Sequence, residues 1–181
     1  MYTKTAQLVI LVLLTISLQN PRSVNGEDDL VTRLCKSTSS SGECIDCVAS
    51  VSVGRGIPTT DIGVVEDVMA CGTNAIDHLY QDAYAYKSKA TDPALKDALD
   101  VCHDRGEAAK QSINNQVTKD VRIRHFVSAK AIIISQIQTV NSCAHAAKSK
   151  GVQLPQEMYR DLEIVNNIWS GMVLKMLDSL F

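Results

Sequence analysis

The stretch that decides the fold is residues 62–86, IGVVEDVMACGTNAIDHLYQDAYAY. Apolar or small side chains recur there in steps of three and four residues, which places them on one face of an α-helix. Thr60 or Asp61 can cap this helix, because a short polar side chain accepts hydrogen bonds from the free N–H groups of a first turn. The stretch therefore predicts a long helix with one buried face. That face consists of Ile62, Val65, Met69, Gly72, Ile76, Leu79, Ala83 and Tyr86.

Helical periodicity also occurs in three further long segments. Asp92-Pro93 predicts the start of one of them, because a capping acid is followed by Pro in the first turn. That segment reaches Val117, and a polar patch at about residues 118–120 is expected to end it. The next segment spans about Val121 to Lys148, and the last begins near Pro155 and reaches Leu180.

Two short helical segments precede the long ones, Asp28 to Lys36 and Glu43 to Val53, and a Ser-rich turn joins them. No segment shows the alternation of a half-buried strand convincingly. Four long amphipathic helices with short connections favour a bundle. We predict an all-α fold, an up-and-down four-helix bundle with an N-terminal α-helical hairpin, stapled by disulfides.

The first 26 residues have the order of a secretory signal peptide. Lys4 precedes an uncharged apolar run from Ala6 to Leu18, and Val24 and Gly26 supply the small residues of a cleavage site. The run has 13 residues, whereas a membrane-spanning helix needs roughly 20. We expect cleavage after Gly26, a secreted extracellular product without membrane association, and one domain over residues 27–181.

Residues 27–181 are acidic. The first 26 residues hold two of the 18 basic residues and none of the 20 acidic ones, so the remainder carries a formal charge of −4. An acidic protein is a poor ligand for nucleic acid or for an anionic membrane. We therefore expect no nucleic-acid partner and favour a basic protein partner.

No catalytic or metal-binding motif stands out. The sequence has no His-Glu-x-x-His, no Gly-x-Ser-x-Gly and no phosphate loop. The four histidines have no acid or cysteine arranged beside them as a catalytic or metal partner, and we interpret them as helix-surface residues. They are His78, His103, His125 and His145. We predict a protein that is not an enzyme and has no catalytic, cofactor-binding or metal site.

The residues that bind a target stay unassigned. One polar face on the long helix of residues 62–86 is a candidate, although a solvated surface is the simpler interpretation. This face is made of Asp77, Gln81, Asp82 and Lys87.

Six cysteines follow the leader, and six allow fifteen connectivities. Cys35 and Cys44 flank the Ser-rich turn, so a bridge between them would close the N-terminal hairpin. Cys102 and Cys143 lie on the inward stripes of adjacent long helices and could cross-link them. The chain-entropy estimate is roughly 3 kcal/mol for the short loop and about 4 kcal/mol for the long one.

The remaining cysteines, Cys47 and Cys71, stay unassigned, because they can pair with each other or remain buried thiols. Cys44-x-x-Cys47 has the spacing of redox and zinc motifs, but both roles would need a second pair or an adjacent strand. Neither is present, so we interpret Cys44 as structural and Cys47 as its neighbour on the next helical turn.

Three features together carry a family resemblance. Cys35-Lys-Ser-Thr-Ser-Ser-Ser-Gly-Glu-Cys44 has two cysteines separated by eight residues, Leu99-Asp-Val-Cys102 precedes Ala108-Ala109, and Cys143 follows about forty residues later. With the leader and the helix plan, the chain resembles the plant invertase and pectin methylesterase inhibitors over essentially all of residues 27–181. The resemblance implies a secreted four-helix-bundle inhibitor with the bridges Cys35–Cys44 and Cys102–Cys143.

The resemblance also bears on the target. The family commonly has Tyr four residues after its third cysteine, where this chain has Gly106. The Pro-Lys-Phe motif of invertase inhibitors is absent, and the nearest match is Arg124-His125-Phe126. By resemblance we therefore expect inhibition of pectin methylesterase in the cell wall (apoplast), by stoichiometric non-covalent occlusion of the enzyme's cleft, with acid invertase as the alternative target.

Two other classes remain open at this point. One is a non-inhibitory extracellular binding module of the same fold. The other is a saposin-like lipid binder, which is also helical, secreted and built with six cysteines, and which Cys44-x-x-Cys47 resembles. Saposins join their first cysteine to their last, so the disulfide connectivity distinguishes this class.

Overall fold

The computed structural model of the protein describes residues 29–181, so the predicted signal peptide at residues 1–26 lies outside the described residues. The described part of the chain is all-α, as predicted, and contains no strand. It has six helices. They are α1 (Leu30–Cys35), α2 (Ser41–Ser52), α3 (Asp61–Lys89), α4 (residues 93–122), α5 (Phe126–Ser149) and α6 (residues 156–179).

Two of the helices contain a π-helical turn. Helix α4 runs from Pro93–Ser112 through the π turn Ile113–Val117 into Thr118–Arg122. Helix α6 runs from Gln156–Asn166 through the π turn Asn167–Val173 into Leu174–Ser179. None of the helices in the described residues combines the length and the apolar character that crossing a membrane requires.

The capping residues that the sequence suggests fix the starts of α3 and α4. Thr60 Oγ1 accepts a hydrogen bond from Gly63 N at 3.1 Å, and Asp92 Oδ1 accepts one from Ala94 N at 2.8 Å. Each bond satisfies a backbone donor that the first turn of a helix leaves free. Both long helices therefore begin where the sequence predicts.

The end of α4 differs from the prediction. The polar residues 118–120 are helical, because Val117 and Val121 on either side are both fully buried and continue the apolar face. The helix ends at Arg122 in a Schellman motif, in which His125 N donates to Asp120 O and Arg124 N donates to Val121 O. Arg124 takes the left-handed conformation of that motif, with φ of 60°.

One cluster of buried side chains draws on all six helices. The largest member is Trp169, which is 1% exposed and lies in the π turn of α6. Its indole covers Gly72 of α3 so closely that a Cβ added to Gly72 would lie 2.5 Å from Trp169 Cε2. The indole therefore packs directly on the backbone of Gly72, and a helix–helix contact this close needs a residue without a side chain.

The four long helices contact one another in antiparallel pairs. Helix α3 lies against α4 and α6, and α5 lies against the same two helices. In each pair the residue number rises along one helix as it falls along the other. Contacting residues show this for α3 and α4 (66 with 122, and 87 with 100) and for α4 and α5 (97 with 150, and 102 with 143). The same holds for α5 and α6 (130 with 178, and 141 with 166) and for α3 and α6 (72 with 169, and 86 with 157).

Three disulfides staple the fold. Cys35–Cys44 joins the ends of α1 and α2, and Cys102–Cys143 joins α4 to α5, which are the two pairs that the family resemblance implies. The two unassigned cysteines also form a bridge, Cys47–Cys71, which ties α2 to α3. Because Cys35 is bonded to Cys44 and not to Cys143, the connectivity of a saposin-like protein is excluded.

The N-terminal helices are fastened to the π turn of α6. Ser39 N and Ser39 Oγ both donate to the carbonyl oxygen of Gly171 at 3.0 Å. Asn167 Nδ2 in the same turn donates to Glu43 Oε2 at 2.5 Å. A π turn shifts the backbone hydrogen bonds from i+4 to i+5, and here the segment that contains it receives α1 and α2.

Candidate protein-binding surface

The seam between α3 and α4 is aligned by three ion pairs. Glu66 pairs with Arg122, with 2.5 Å between Oε1 and Nε, and Asp77 pairs with Lys110, with 2.5 Å between Oδ1 and Nζ. Lys87 and Asp100 form the third pair, nearest the connection between the helices. The pairs lie along the whole seam, and they fix the register of one antiparallel helix against the other.

Hydrogen bonds to these carboxylates raise the pKa of both lysines. Asp77 raises the pKa of Lys110 and Asp100 raises that of Lys87, in each case against the opposing effect of desolvation. The ordinary value for both is 10.5. Both lysines therefore stay charged over the physiological pH range, and the seam keeps its ion pairs there.

A cluster of rings lies in the middle of this seam. Gly106 of α4 lets Tyr80 of α3 approach closely, since a Cβ added to Gly106 would lie 2.8 Å from Tyr80 Cβ. His103, one turn before Gly106, meets the Tyr80 ring edge-on with ring centroids 5.7 Å apart, and Tyr84 lies at 6.1 Å from the same imidazole. We call Tyr80, Tyr84 and His103 the tyrosine patch.

The tyrosine patch is exposed at its outer end and supported at its inner end. Tyr84 is 69% exposed, whereas Tyr80 is half-buried beneath the ammonium of Lys110, 5.7 Å from the ring centroid. His103 Nδ1 lies 3.2 Å from Oδ1 of the exposed Asp104. The arrangement offers rigid rings with a polar rim, a composition typical of the contact points of protein interfaces.

The polar face considered from the sequence is divided by the structure. Asp77 and Lys87 belong to the α3–α4 seam, where each has a partner on α4. Asp82 lies on the opposite flank and faces Asp161 of α6, and Gln81 between the two flanks is exposed. The face therefore borders the tyrosine patch but is not one continuous surface.

Sequence reasoning missed the tyrosine patch. The sequence predicts that His103 is an ordinary helix-surface histidine, and no motif assigns a role to Tyr80 or Tyr84. A usable signal was present, since three of the chain's five tyrosines lie within residues 80–86, two of them four residues apart on one side of α3.

The other three histidines and the cysteines lie apart from the tyrosine patch. His78, His125 and His145 are exposed on α3, before α5 and on α5. Among residues 29–181, no three His, Cys, Asp or Glu side chains converge as metal ligands would. The cysteines are all consumed in the three disulfides of the described chain.

A polar cleft of about 280 Å³ opens between α3 and the π turn of α4. Two arginines flank it, and each already pairs with an acid of the cleft: Arg55 with Asp67 at 3.3 Å and Arg122 with Glu66. Asp67 also accepts from Ser52 Oγ at 3.0 Å. The charges of the cleft thus balance internally, which makes it a weaker binding candidate than the exposed rings.

The outer face of α5 is almost uncharged. Apart from one histidine, Lys130 is the only ionisable residue between Phe126 and Ala147. Lys130 pairs with Asp178 and lies over the ring of Phe181. Val127 is 73% exposed and Ile134, two turns further, is 47% exposed. Exposed apolar side chains in a row are typical of surfaces that contact another protein.

No protein-family model matches the chain, and no curated protein matches it.

Proposed function

We propose that the protein is a secreted inhibitor of a carbohydrate-active enzyme of the cell wall, with pectin methylesterase as the first target. Inhibition is stoichiometric and non-covalent, and a rigid helical face occludes the enzyme's cleft. Both the enzyme class and the mode of action are what the family resemblance implies, and the exposed rings on the α3–α4 seam support a contact with another protein. Acid invertase remains the alternative target.

The observation that carries the proposal is the tyrosine patch on the α3–α4 seam. Tyr84 exposes a large ring at a small cost in side-chain entropy, and such rings dominate many protein interfaces. Ion pairs and the Cys102–Cys143 bridge fix the helices beneath it. A surface that is already ordered loses little conformational freedom on binding.

The architecture that we propose for this inhibitor is an up-and-down four-helix bundle of α3 to α6, with α1 and α2 as the N-terminal hairpin. The antiparallel contacts of each neighbouring pair support this topology. The three disulfides suit an oxidising extracellular compartment. A formal charge of −4 on residues 27–181 favours encounter with a basic enzyme at low salt.

Titration of a pectin methylesterase and of an acid invertase with purified residues 27–181 tests the proposal. We expect the activity of one enzyme to fall to near zero at about one inhibitor per enzyme. Tyr84→Ala should weaken inhibition about tenfold or more, which corresponds to loss of one strong contact residue. Tyr159→Ala is the matched control, since Tyr159 is also exposed but lies on α6.

Full activity of both enzymes at excess inhibitor would refute the proposed function. If an enzyme is inhibited and Tyr84→Ala behaves like Tyr159→Ala, the function stands and the tyrosine patch is not the contact surface.

A second candidate function is a non-inhibitory extracellular binding module, and the nearly uncharged face of α5 favours it. In that case Ile134→Glu, and not Tyr84→Ala, should abolish binding to the dominant partner in a cell-wall extract, while both enzymes stay active. A charged residue at this point is costly because the contact would desolvate it.

A further inference from the structure

Two carboxylates face each other across the seam between α3 and α6. Asp161 lies in the first part of α6, and Asp82 of α3 is within hydrogen-bonding reach of it. Asp161 Oδ2 is fully buried and has no hydrogen-bond partner among the described residues. A buried carboxylate oxygen without a donor is costly, and a like charge beside it adds repulsion.

The surroundings of the pair offer partial compensation only. From α3, His78 faces Asp161 and lowers its pKa, and Arg160 of α6 does the same. Burial has the largest effect and raises the pKa of Asp161 above its ordinary value of 3.8, and Asp82 raises it further.

The next turn of the same seam is also acidic. Tyr86 of α3 has its pKa raised by burial first and then by its hydrogen bond with Glu157 of α6, and Asp82 and Asp161 add to this effect. Both helices thus contribute acidic side chains to this contact, and His78 and Arg160 are the basic side chains beside them.

We propose that Asp82 and Asp161 form a proton-dependent clasp between α3 and α6. In acid the pair takes up one proton from solvent, and the protonated carboxyl group donates an O–H···O hydrogen bond to the other carboxylate. At higher pH that proton returns to solvent, and two anions are left in contact. The clasp is internal to the fold and does not depend on which partner the protein binds.

The direction of the pH effect follows from the raised pKa. A carboxyl group whose pKa is higher in the folded chain than in the unfolded chain binds more protons when folded. Its contribution to stability is complete below about pH 4, the unfolded value, and is lost as the pH rises through the folded value. The contact between the first part of α6 and the second half of α3 is therefore tightest in acid.

Asp161→Asn tests the clasp, because asparagine is neutral at every pH and can still donate a hydrogen bond to Asp82. We expect its melting temperature to equal that of the wild type within about 1 °C at pH 4 and to exceed it by about 3 °C at pH 7. Asp46→Asn is the matched control, since Asp46 is exposed on α2, and its effect should not change between the two pH values in this way.

Carboxyl NMR titration gives an independent measure, and its first part uses the wild type alone. We expect Asp161 to titrate above 3.8 and to move back toward that value in Asp82→Asn. Titration of Asp161 at or below its ordinary value would overturn the proposal, as would a stability change in Asp161→Asn that is equal at pH 4 and pH 7.

Calcium chloride at pH 7 tests whether the pair binds a cation in place of a proton. If millimolar calcium raises the melting temperature of the wild type but not of Asp161→Asn, the pair holds a cation and the proton clasp is wrong. No effect of calcium, together with the pH-dependent gain in Asp161→Asn, supports the clasp.

Discussion

Helix α3 meets α4 on one flank and α6 on the other. Three ion pairs cross the flank toward α4, and a tyrosine lies over Gly106. On the flank toward α6, an indole lies directly on Gly72, and two like-charged carboxyl groups face each other. The first seam has balanced charges with partly exposed partners, whereas the second combines a tightly packed contact with an unbalanced one.

The difference teaches how each seam responds to its surroundings. Partly exposed ion pairs contribute little each, typically below about 1 kcal/mol, and salt weakens them further. Close packing contributes more per residue and is insensitive to salt. The stability of the seam toward α4 should therefore change little with single substitutions but measurably with salt concentration. The stability of the seam toward α6 should change strongly with side-chain volume and with pH.

Gly72→Ala is the largest expected disruption. The new methyl group would lie within 3 Å of three indole atoms of Trp169, and Trp169 is fully buried, so neither side can move cheaply. We expect a loss of about 3 kcal/mol in the free energy of unfolding, measured by urea denaturation.

Gly42→Ala in α2 is the control for this substitution, because nothing lies within 4 Å of a Cβ added there. Alanine is the better helix former, so this variant should be neutral or slightly stabilised. Equal unfolding free energies for the two variants would contradict the close-packing account. Trp169→Phe combined with Gly72→Ala should cost less than the sum of the two single changes, because the smaller ring removes the clash.

Gly106→Ala is the corresponding change on the other flank, and we expect a smaller loss of about 1.5 kcal/mol. The added methyl group would lie 2.8 Å from Tyr80 Cβ, which is fixed to the α3 backbone, so α3 must shift slightly away from α4. Only this one contact lies below 3 Å, whereas three do at Gly72. This shift should also weaken the edge-on contact with His103. A drop in target affinity larger than that of Tyr159→Ala would connect the seam to binding, and an unchanged affinity would separate them.

The sequence predicted the helices well where a local rule decides them. The line from Ile62 to Tyr86 lies on α3, and Asp92 caps α4, because periodicity and capping depend on neighbouring residues only. Two helix ends show where such rules stop. Both α4 and α5 end in the same Schellman motif, but Gly151 marks the end of α5 while Arg124 occupies the same position after α4.

Features that depend on two helices could not be predicted in this way. The sequence places Gly72 on the buried face as a small residue, yet only the packing of α6 reveals that Trp169 lies against it. The tyrosine patch requires the register of α3 against α4, and the Cys47–Cys71 bridge requires the position of α2. Neither register nor docking position follows from periodicity within one helix.

Lys110→Met has the smallest expected effect on stability. The dependence of this effect on salt concentration distinguishes the seam toward α4 from the seam toward α6. Methionine keeps most of the apolar stem over Tyr80 but removes the ion pair with Asp77. At low ionic strength the free energy of unfolding should fall by about 0.5 kcal/mol, and at 1 M NaCl the difference should shrink, because salt screens the charges of this partly exposed pair. Lys96→Met, on the exposed side of the same helix, is the control and should show neither effect. The loss in Gly72→Ala should persist at 1 M NaCl, so a salt-sensitive loss at Gly72 or a salt-insensitive one at Lys110 would contradict the division between a charged seam and a packed one.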